Sequence, residues 1–277
     1  MFSDPDFFTQ YETWLRASAF LGILALLVGL EYLIPRRQRI MPRVHRWTTN
    51  LTMVVLDTII LRYLFTVLSV GMAFWANQKG IGLFNLWEGH FWLKTLLTVL
   101  IFDFLIYLQH VVSHRIPFLW RIHRVHHVDR DIDVTTALRF HPIEITLSML
   151  YKFGWILILG PTAFGMLLFG IILNSSAMFN HANIQLPPRL DHFVRLFVVT
   201  PDMHHIHHST TPQETNSNYG SFLSLWDRLC GTYKPAPQHG HDEMTIGLKE
   251  FQTKTPNSLL WSLRFPFMSN HKDTMND

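Results

Sequence analysis

Residues 145–173 read ITLSMLYKFGWILILGPTAFGMLLFGIIL, an apolar stretch that is interrupted near its middle by the pair Gly160-Pro161. Proline lacks a backbone N–H and glycine is conformationally permissive, so this pair favours a break in a helix. The stretch is therefore either one kinked membrane span or two short helices that turn back at the pair. This choice decides on which side of a membrane the rest of the chain lies.

Three further segments are long and apolar enough to span a bilayer, namely Ala17–Leu33, Leu51–Ala76 and Phe91–Leu108. Roughly twenty residues are needed to cross the hydrocarbon core of a membrane. The composition agrees, because 48% of the residues are hydrophobic, only 16% are charged, and the mean hydropathy is +0.15. The sequence predicts an all-α, polytopic membrane protein with three spanning helices plus a broken segment that re-enters or crosses twice.

The arginines of the loops predict how these helices are oriented. The loop 36–50 contains five arginines, whereas Lys79 is the only lysine or arginine of the loop 77–90. The positive-inside rule places the first loop in the cytoplasm and the second on the opposite side. The loop that follows the third span is again rich in arginine, which places it in the cytoplasm. If the segment 145–173 crossed once, everything after Leu173 would lie on the opposite side; if it turns back, that part stays cytoplasmic.

The composition also excludes several classes of function. The formal net charge is only +3 and no basic run is interleaved with aromatic residues, so we expect no nucleic-acid partner. Cys230 is the only cysteine, which excludes an internal disulfide and a cysteine-ligated iron–sulfur cluster on this chain alone. A G-x-G-x-x-G motif and an evident haem-binding domain are both absent from the sequence, so no flavin, nicotinamide or haem site is predicted.

Three histidine-rich motifs lie on either side of the broken segment: HVVSH (110–114), HRVHH (123–127) and HHIHH (204–208). Residues four apart lie about 40° apart around a helix, so the histidines of each motif share a face. His205 falls outside this face, and we expect it to be exposed and not to bind a metal. Neutral imidazole is a common metal ligand, and the remaining eight histidines exceed what one four- or six-coordinate ion needs. The pattern therefore predicts two metal ions.

This prediction also settles the topology that we expect. The motifs HRVHH and HHIHH have the same H-x-x-H-H spacing, and both must reach one site. A single crossing by residues 145–173 would separate them by ~30 Å of hydrocarbon. We therefore predict that this segment returns to the side from which it started, and that a cytoplasmic, histidine-rich helical cap holds the two metals.

The motifs resemble those of the fatty acid hydroxylase/sterol desaturase superfamily. Further matches to this family are TALRFHP (136–142), FNHANIQLP (179–187), NYG (218–220), WDR (226–228) and GTY (231–233), and the resemblance covers about Leu97 to Tyr233. It implies an integral membrane, non-haem di-iron oxygenase that uses O2 and supplied electrons to hydroxylate or desaturate a lipid. The versions TALRFHP and PDMHHIHHS resemble bacterial members and the alkylglycerol monooxygenase branch.

The resemblance also implies roles for individual residues. It implies that the metal ligands are His110, His114, His123, His126, His127, His204, His207 and His208, with His181 of FNHAN as a ninth. Members that are fatty acid 2-hydroxylases have one more histidine four positions later, where this chain has Gln185. His141 of RFHP either completes the ligand shell or is a structural histidine held by Pro142.

The family places Asn218, Tyr219 and Asp227 near the metals. A carboxylate such as that of Asp227 could accept the second N–H of a ligating histidine and so fix its tautomer. The alternative is that Asp227 caps a helix or pairs with its surroundings. Glu144 and Asp202 are weaker candidates for the same role.

The implied cofactors are two iron ions, which zinc can replace in purified samples because zinc binds nitrogen ligands more tightly than ferrous iron. The implied partners are a membrane lipid substrate (an acyl chain, sterol, alkyl ether or carotenoid) and an external electron donor, which is a ferredoxin or a cytochrome with its reductase. We expect a multi-pass protein of a bacterial inner membrane with the metal site on the cytoplasmic side. The expected regions are membrane helices in 1–90, the di-iron domain in 91–235 and a polar C-terminal tail in 236–277.

Two other functions fit a histidine-rich membrane protein. A zinc-dependent membrane hydrolase would usually have three protein ligands and a general-base carboxylate close to them, as in H-E-x-x-H, and no glutamate lies within the three motifs. A non-catalytic protein that binds or transports metal would need ionisable residues within the spans, where Asp57 and Asp103 are among the few available. Iron content near two per chain together with O2 consumption would separate the oxygenase from both alternatives.

Overall fold

The computed structural model describes residues 5–65, 67–252 and 258–268, and within these ranges the chain is helical without a β-strand. The predicted all-α class is therefore confirmed. The long helices are α1 (Pro5–Leu33), α2 (Arg43–Leu64), α3 (Ser69–Gln78), α4 (Phe91–Arg115), α5 (Pro117–His127), α6 (Pro142–Leu159) and α7 (Ala163–His181). The short helices are α8 (Pro188–Val194), α9 (Pro201–His207), α10 (Pro212–Thr215), α11 (Leu225–Leu229), α12 (Gly240–Glu243) and α13 (Leu259–Arg264).

Five helical stretches of the described chain are long and apolar enough to cross a membrane: Tyr11–Leu33, Arg43–Gln78, Phe91–Arg115, Pro142–Leu159 and Ala163–His181. They contain the three predicted spans and both halves of the broken segment. The predicted second span, Leu51–Ala76, is not one continuous helix. The backbone is extended at Phe65 and again at Leu68, so that α2 ends and α3 begins within it.

The predicted break at Gly160-Pro161 is present. Gly160 ends α6 with a φ of 61°, in the left-handed region that glycine adopts without steric cost. Thr162 then begins α7, because its side chain accepts a hydrogen bond from the backbone N–H of Gly165. The side chain of Asn77 donates to the carbonyl oxygens of Gly160 and Pro161, so the α6–α7 turn is tied to the end of α3.

The largest apolar core joins α3, α4, α6 and α7. Phe102 and Met166 are almost completely buried in it, and the ring centroids of Phe102 and Phe169 lie 5.5 Å apart. Small residues on α3 allow close approach, since Ala73 and Ala76 are fully buried. This packing holds α4 and α7, each of which carries a predicted metal ligand in its last turn, in a fixed relation to each other.

A buried ionic network joins α1, α2 and the residues after α5 at the end of the bundle that lies opposite the α6–α7 turn. The guanidinium of Arg46 donates to both carboxylate oxygens of Asp129 and to Asp133, at 2.6–2.7 Å. Arg39 pairs with Asp133 and with Glu31 of α1. Arg39 and Arg46 belong to the arginines on which the predicted cytoplasmic position of the loop 36–50 rests. They therefore also form ion pairs within the protein. Removing one partner of such a buried ion pair strongly destabilises the fold, because the other charge is left buried without a partner.

Part of the region predicted as a polar tail packs against the helices. Phe265 is fully buried, and Arg124 of α5 donates to its carbonyl oxygen at 2.9 Å. Ser262 on α13 accepts a hydrogen bond from Arg139 at 2.8 Å. The end of the predicted tail, residues 269–277, lies outside the described residues.

Candidate metal centre

The nine predicted ligands come together in two adjacent groups. One group, the five-histidine group, consists of His110, His114, His123, His127 and His207. The other, the four-histidine group, consists of His126, His181, His204 and His208. In each group one ring nitrogen per residue lies within 4.8 Å of all the others. The rings of His127 and His208 are stacked with their centroids 4.4 Å apart, so the groups adjoin.

Four helices deliver these side chains to one place. His110 and His114 of the five-histidine group lie in the last turns of α4, and His181 is the last residue of α7. The helix α5 begins with Pro117 at its first position and ends at His127. The helix α9 begins after Thr200, whose hydroxyl accepts from the backbone N–H of Met203. Both proline starts match the preference of that residue for the first helical turn, where its missing N–H costs nothing.

Hydrogen bonds fix the orientation of four of the rings through their Nδ1 atoms. The Nδ1–H of His110 donates to the carbonyl oxygen of Tyr219 at 2.8 Å, and that of His207 donates to the carbonyl oxygen of Ser217 at 2.7 Å. The same atom of His181 donates to the carbonyl oxygen of Ala177 at 2.7 Å. A carbonyl oxygen can only accept, so these three rings carry the proton on Nδ1 and leave the lone pair on Nε2.

His123 is oriented by a carboxylate. Its Nδ1–H donates to Oε1 of Glu144 at 2.6 Å, and the side chains of both residues are largely buried. A carboxylate that accepts the second N–H of a ligating histidine fixes its tautomer and raises its basicity as a ligand. Glu144 therefore occupies the position for which Asp227 was the leading candidate.

The Nε2 atoms face one another at short distances. The Nε2 atom of His181 lies 3.0 Å from that of His126, 3.1 Å from that of His204 and 3.2 Å from that of His208. In the five-histidine group, Nε2 of His127 lies 3.1 Å from Nε2 of His114. Because His181 carries its proton on Nδ1, its Nε2 atom has a lone pair and no hydrogen. It therefore cannot donate a hydrogen bond to the three Nε2 atoms that converge on it.

This arrangement fits metal ions. Two nitrogens bound at about 2.1 Å to one ion and at a right angle to each other lie about 3.0 Å apart. The Nε2 atoms of His110 and His207 are buried and have no hydrogen-bond partner within the described residues. Buried polar atoms without a partner are rare in proteins and call for an ion or another ligand. A cation at the centre of each group would satisfy these nitrogens.

The electrostatics favour neutral rings. Burial, together with the neighbouring histidines, holds the pKa of His126, His127, His204 and His208 well below its usual value. Burial, followed by the charge of His123, lowers the pKa of His207 to about 3. Neutral imidazole is the form that ligates a metal, so these rings need not lose a proton at neutral pH in order to bind.

The two groups differ in accessibility. All members of the four-histidine group are buried, whereas His110 and His114 of the five-histidine group are partly exposed. The ring of Trp120 lies 4.8 Å from that of His114, and Tyr219 packs edge-on against His110. The five-histidine group therefore lies nearer to the protein surface than the four-histidine group, while the Nε2 atom of His110 itself is buried.

His205 lies outside both groups, but it is not exposed as the sequence predicted. Its side chain is fully buried, and burial lowers its pKa to about 3. The helix α9 turns it away from the other histidines of its motif, as expected. Arg37 and His241 lie near it, and they come from the loop after α1 and from α12, which are joined where Arg37 donates to the carbonyl oxygens of His241 and Met244. The sequence pattern cannot show this cover, because it comes from distant parts of the chain.

His141 also lies outside both groups. Its Nδ1 accepts from the backbone N–H of Ile143 and its Nε2–H donates to the carbonyl oxygen of Leu263 at 3.1 Å. Both ring nitrogens are thus used to begin α6 and to hold the C-terminal region. The structure places His141 in the structural role that was the alternative to metal ligation.

Asp227 is close to the centre but does not contact a histidine. Its carboxylate accepts from the backbone N–H groups of Tyr219 and Gly220, each at 2.8 Å, and from the hydroxyl of Thr232 at 2.7 Å. The carbonyl oxygen of the same Tyr219 accepts from His110. Asp227 therefore holds the backbone segment that orients a predicted ligand.

Asn218 holds the same segment from the other side. It has a φ of 51°, and its amide donates to the carbonyl oxygens of Met203 and Lys234 while accepting from the backbone N–H of Lys234. Asp202, the other weaker candidate for orienting a histidine, pairs with Arg36 instead. The carbonyl oxygens of residues 177, 217 and 219 orient three of the rings. The sequence cannot predict this role, because every residue type has the same carbonyl oxygen.

Comparison with known proteins agrees with this geometry. The family profile described as Fatty acid hydroxylase matches residues 95–232. The chain is 29% identical over 168 residues to an ornithine lipid hydroxylase, OlsE, of Rhizobium tropici, an alignment that covers 58% of this chain and 50% of the relative. It is 30% identical over 144 residues to an alkylglycerol monooxygenase of Xenopus tropicalis, covering 50% of this chain and 30% of the relative.

A cholesterol 25-hydroxylase-like protein of Danio rerio is 27% identical over 141 residues, covering 48% of this chain and 53% of the relative. The chain thus spans about half or less of the length of these three relatives. No solved structure shows a significant match to it. All nine histidines of the two groups lie within the residues that the family profile matches.

Proposed function

The chain belongs to the fatty acid hydroxylase family, and on this premise we propose that it is an O2-dependent, di-iron membrane oxidoreductase that hydroxylates or desaturates a lipid. The relatives that support a lipid substrate are named for ornithine lipid, alkylglycerol and cholesterol. They differ in head group and ring structure, and they share an apolar body with C–H bonds.

The observation that carries the proposal is the division of nine buried or half-buried histidines into two adjoining groups of converging nitrogens. One zinc ion in a hydrolase would need three protein nitrogens and an open position. Nine nitrogens in two groups support two ions, and a ligand set rich in imidazole suits iron as well as zinc. Iron would supply the activation of O2, for which no side chain of this protein is suited.

The protein residues themselves have defined tasks in this proposal. Glu144 and the carbonyl oxygens of residues 177, 217 and 219 hold the rings of four ligands by their Nδ1–H groups. The buried four-histidine group would hold one ion away from water, while the more exposed side of the five-histidine group, at His110 and His114, would admit O2 and substrate to the other. A fixed ring orientation is what a metal site needs, because a ligand displaced by an ångström no longer bonds.

A cavity beside the centre is suited to an apolar chain. It has a volume of about 250 Å³ and is lined by Phe118, Arg121, Ile122, Ile143, Pro266 and Phe267. Ile122 and Ile143 are the sequence neighbours of His123 and Glu144, so the two helices that carry this pair, α5 and α6, also line the cavity. We propose that the lipid substrate places part of its apolar body here.

We propose that the electrons come from another protein. Each turnover of an O2-dependent hydroxylase requires two electrons, and the sequence has no flavin, nicotinamide or haem motif. We propose a ferredoxin or a cytochrome with its reductase as the donor. Its docking face is cytoplasmic, if the chain lies in a bacterial inner membrane with the histidines on the cytoplasmic side.

The proposed topology has both α6 and α7 crossing the membrane. Each has the length and composition of a span, and the turn between them lies at the end of the bundle opposite the histidines. His141 begins α6 and His181 ends α7, so both outer ends of the pair lie near the metal centre. This arrangement keeps HRVHH and HHIHH on one side, as a shared centre requires.

The deciding experiment is anaerobic reconstitution of the full chain in nanodiscs with ferrous iron. We expect about two iron ions per chain, and O2 consumption when lipid and a ferredoxin system are added. His181→Ala should lower the iron content, because it removes the nitrogen on which three others converge. His192→Ala is the matched control, since His192 is exposed on α8 and outside both groups.

His205→Ala separates the ligand assignment from a general effect of removing a buried imidazole. It should retain the iron, although burial of this side chain means that its loss leaves a cavity and lowers the melting temperature. One tightly bound zinc per chain in the iron-loaded protein, together with hydrolytic activity, would show a hydrolase instead. Two iron ions without O2 consumption in the presence of donor and lipid would contradict the oxygenase.

A further inference from the structure

The short helices α8 and α11 and the residues that follow α8 expose an unusual number of large apolar side chains. Phe193 is 62% exposed and Leu229 is 69% exposed. We name as the apolar patch the six exposed residues Leu190, Phe193, Leu196, Phe197, Leu225 and Leu229. None of them lies within a stretch that is long enough to span a membrane. Contiguous exposed apolar surface of this kind marks an interaction site.

The patch occupies one face of its helices. Leu190 and Phe193 are three residues apart on α8, whereas Asp191 and His192, which lie between them in sequence, point to another side of the helix. On α11, Leu225 and Leu229 are four residues apart and exposed, whereas Asp227 faces inward and is fully buried. A helix with one apolar and one charged face and without the length of a span is typical of an interfacial helix.

Backbone contacts join the two parts into one surface. The N–H of Ser224 donates to the carbonyl oxygen of Phe197 at 3.1 Å, and the hydroxyl of Ser224 donates to the carbonyl oxygen of Arg195 at 2.7 Å. An antiparallel bridge between Val198 and Leu223 adds to this pairing. The residues just after α8 and those just before α11 therefore lie side by side.

The depth of the patch follows from its attachment to α4. Asp103 accepts hydrogen bonds from the indole N–H of Trp226 at 2.7 Å and from the backbone N–H of Leu223 at 3.1 Å. The rings of Phe104 and Trp226 lie 5.0 Å apart. Asp103 lies five residues before Leu108, the end of the predicted third span, after which α4 continues to His110 and His114. At 1.5 Å per residue it is about 8 Å inside that end of the span, which is the depth of an interfacial helix.

We propose that the apolar patch is inserted into the membrane interface of the leaflet on the metal-centre side. The patch is attached beside a stretch, Phe91–Arg115, that has the properties of a span, and the same helix exposes Leu93, Leu96 and Val112. Trp226 of α11 packs against Phe104 of this helix, so the patch is seated directly against the stretch Phe91–Arg115. Lipid is the partner that fits an exposed apolar surface seated against a membrane-spanning helix.

This insertion has a consequence for the cap. The segment between Asn218 and Asp227 orients His110, and it is held between α4 and the patch. Anchoring of the patch in lipid would therefore fix the more open edge of the centre at the boundary of the bilayer. The inference concerns the position of the protein in the membrane, and it does not depend on which metal is bound or which reaction occurs.

Depth-dependent quenching tests the proposal. Leu229→Cys in a Cys230→Ser background places a single thiol in the patch, and an NBD fluorophore is attached to it in full-length protein in phosphatidylcholine vesicles. The control is Glu243→Cys in the same background, because Glu243 is an exposed polar residue of α12. We expect nitroxide lipids to quench the probe at 229 at least three-fold more than the probe at 243, and aqueous iodide to show the reverse order.

Equal quenching of the two probes by iodide would overturn the proposal. Protection of the probe at 229 that disappears at a low protein-to-lipid ratio would overturn it as well, because it would show that a second copy covers the patch. Adding Phe193→Ser should lower the lipid quenching at 229 without changing the iron content. Because Phe193 is exposed, this variant tests insertion without removing core packing, and unchanged quenching would show that α8 is not part of the inserted surface.

Discussion

Replacement of Asp227 by asparagine should loosen the five-histidine group without contacting any histidine. Asp227 is fully buried and accepts three hydrogen bonds at 2.7–2.8 Å. Two of them, from Tyr219 and Thr232, go to Oδ1, which asparagine can retain. The third, from the N–H of Gly220, goes to Oδ2, where asparagine presents an NH2 group instead. One hydrogen bond is lost and two donors then face each other.

The size of the effect follows from this geometry. A hydrogen bond to a charged group contributes about 1.5–3 kcal/mol to stability, and a buried donor without a partner adds a cost of similar size. The melting temperature should therefore fall by several degrees. In the variant the N–H of Tyr219 keeps its hydrogen bond, but the N–H of Gly220 loses its partner. The carbonyl oxygen of Tyr219 belongs to the same peptide group as the N–H of Gly220, so it holds His110 less firmly. Loss of a group that orients a ligand typically lowers metal affinity 10–100-fold.

The assay is iron content after equilibration with a graded series of chelator concentrations, together with the melting temperature of the iron-free protein. Asp227→Asn should lose one of about two iron ions at chelator concentrations that leave the wild type intact. Asp242→Asn is the control, because this carboxylate is exposed and pairs with Arg36. If the melting temperature fell while both iron ions were retained with wild-type affinity, Asp227 would support only the fold, and the argument from Tyr219 to His110 would be refuted.

Four further predictions test the fold and the electron supply. Burial raises the pKa of Asp133, but Arg46 and hydrogen bonds lower it by more, so the pKa lies below its ordinary value. The ionised carboxylate therefore stabilises the fold above about pH 4, and this stabilisation is lost as the pH falls below that value. A series of thermal unfolding measurements from pH 7 to pH 3 checks this. Gly82→Ala should destabilise the protein by more than 1 kcal/mol, measured by thermal unfolding, because φ is 98° and a Cβ would lie 2.2 Å from a backbone nitrogen of the α6–α7 turn. Single cysteines at Lys79 and Lys234 should be labelled from opposite sides of the membrane, and labelling from the same side would contradict the proposed topology. Purified protein supplied with lipid, O2 and NAD(P)H alone should show no sustained product formation until a ferredoxin or cytochrome system is added.

Several features of the centre could be predicted from the sequence because they depend on local spacing. Histidines at i and i+4 share a helix face in any fold, so HVVSH, HRVHH and HHIHH each identified histidines that the structure brings together. The resemblance to a family added His181, which lies outside these motifs. The break at Gly160-Pro161 is equally local, since it follows from the backbone properties of two residue types.

The sequence by itself thus determined the class of the fold, the break that returns the chain, and the nine histidines. The tertiary structure alone decided how these histidines divide: His126 and His127 are neighbours in one motif, yet they belong to different groups. It also decided that His205 is buried and that Asp227 acts on a backbone segment and not on an imidazole. The physical reason is that spacing fixes which residues share a helix face, whereas the partner of that face depends on how distant helices pack. Backbone carbonyls, which orient three of the rings, are identical in every residue type and become visible only in the folded chain.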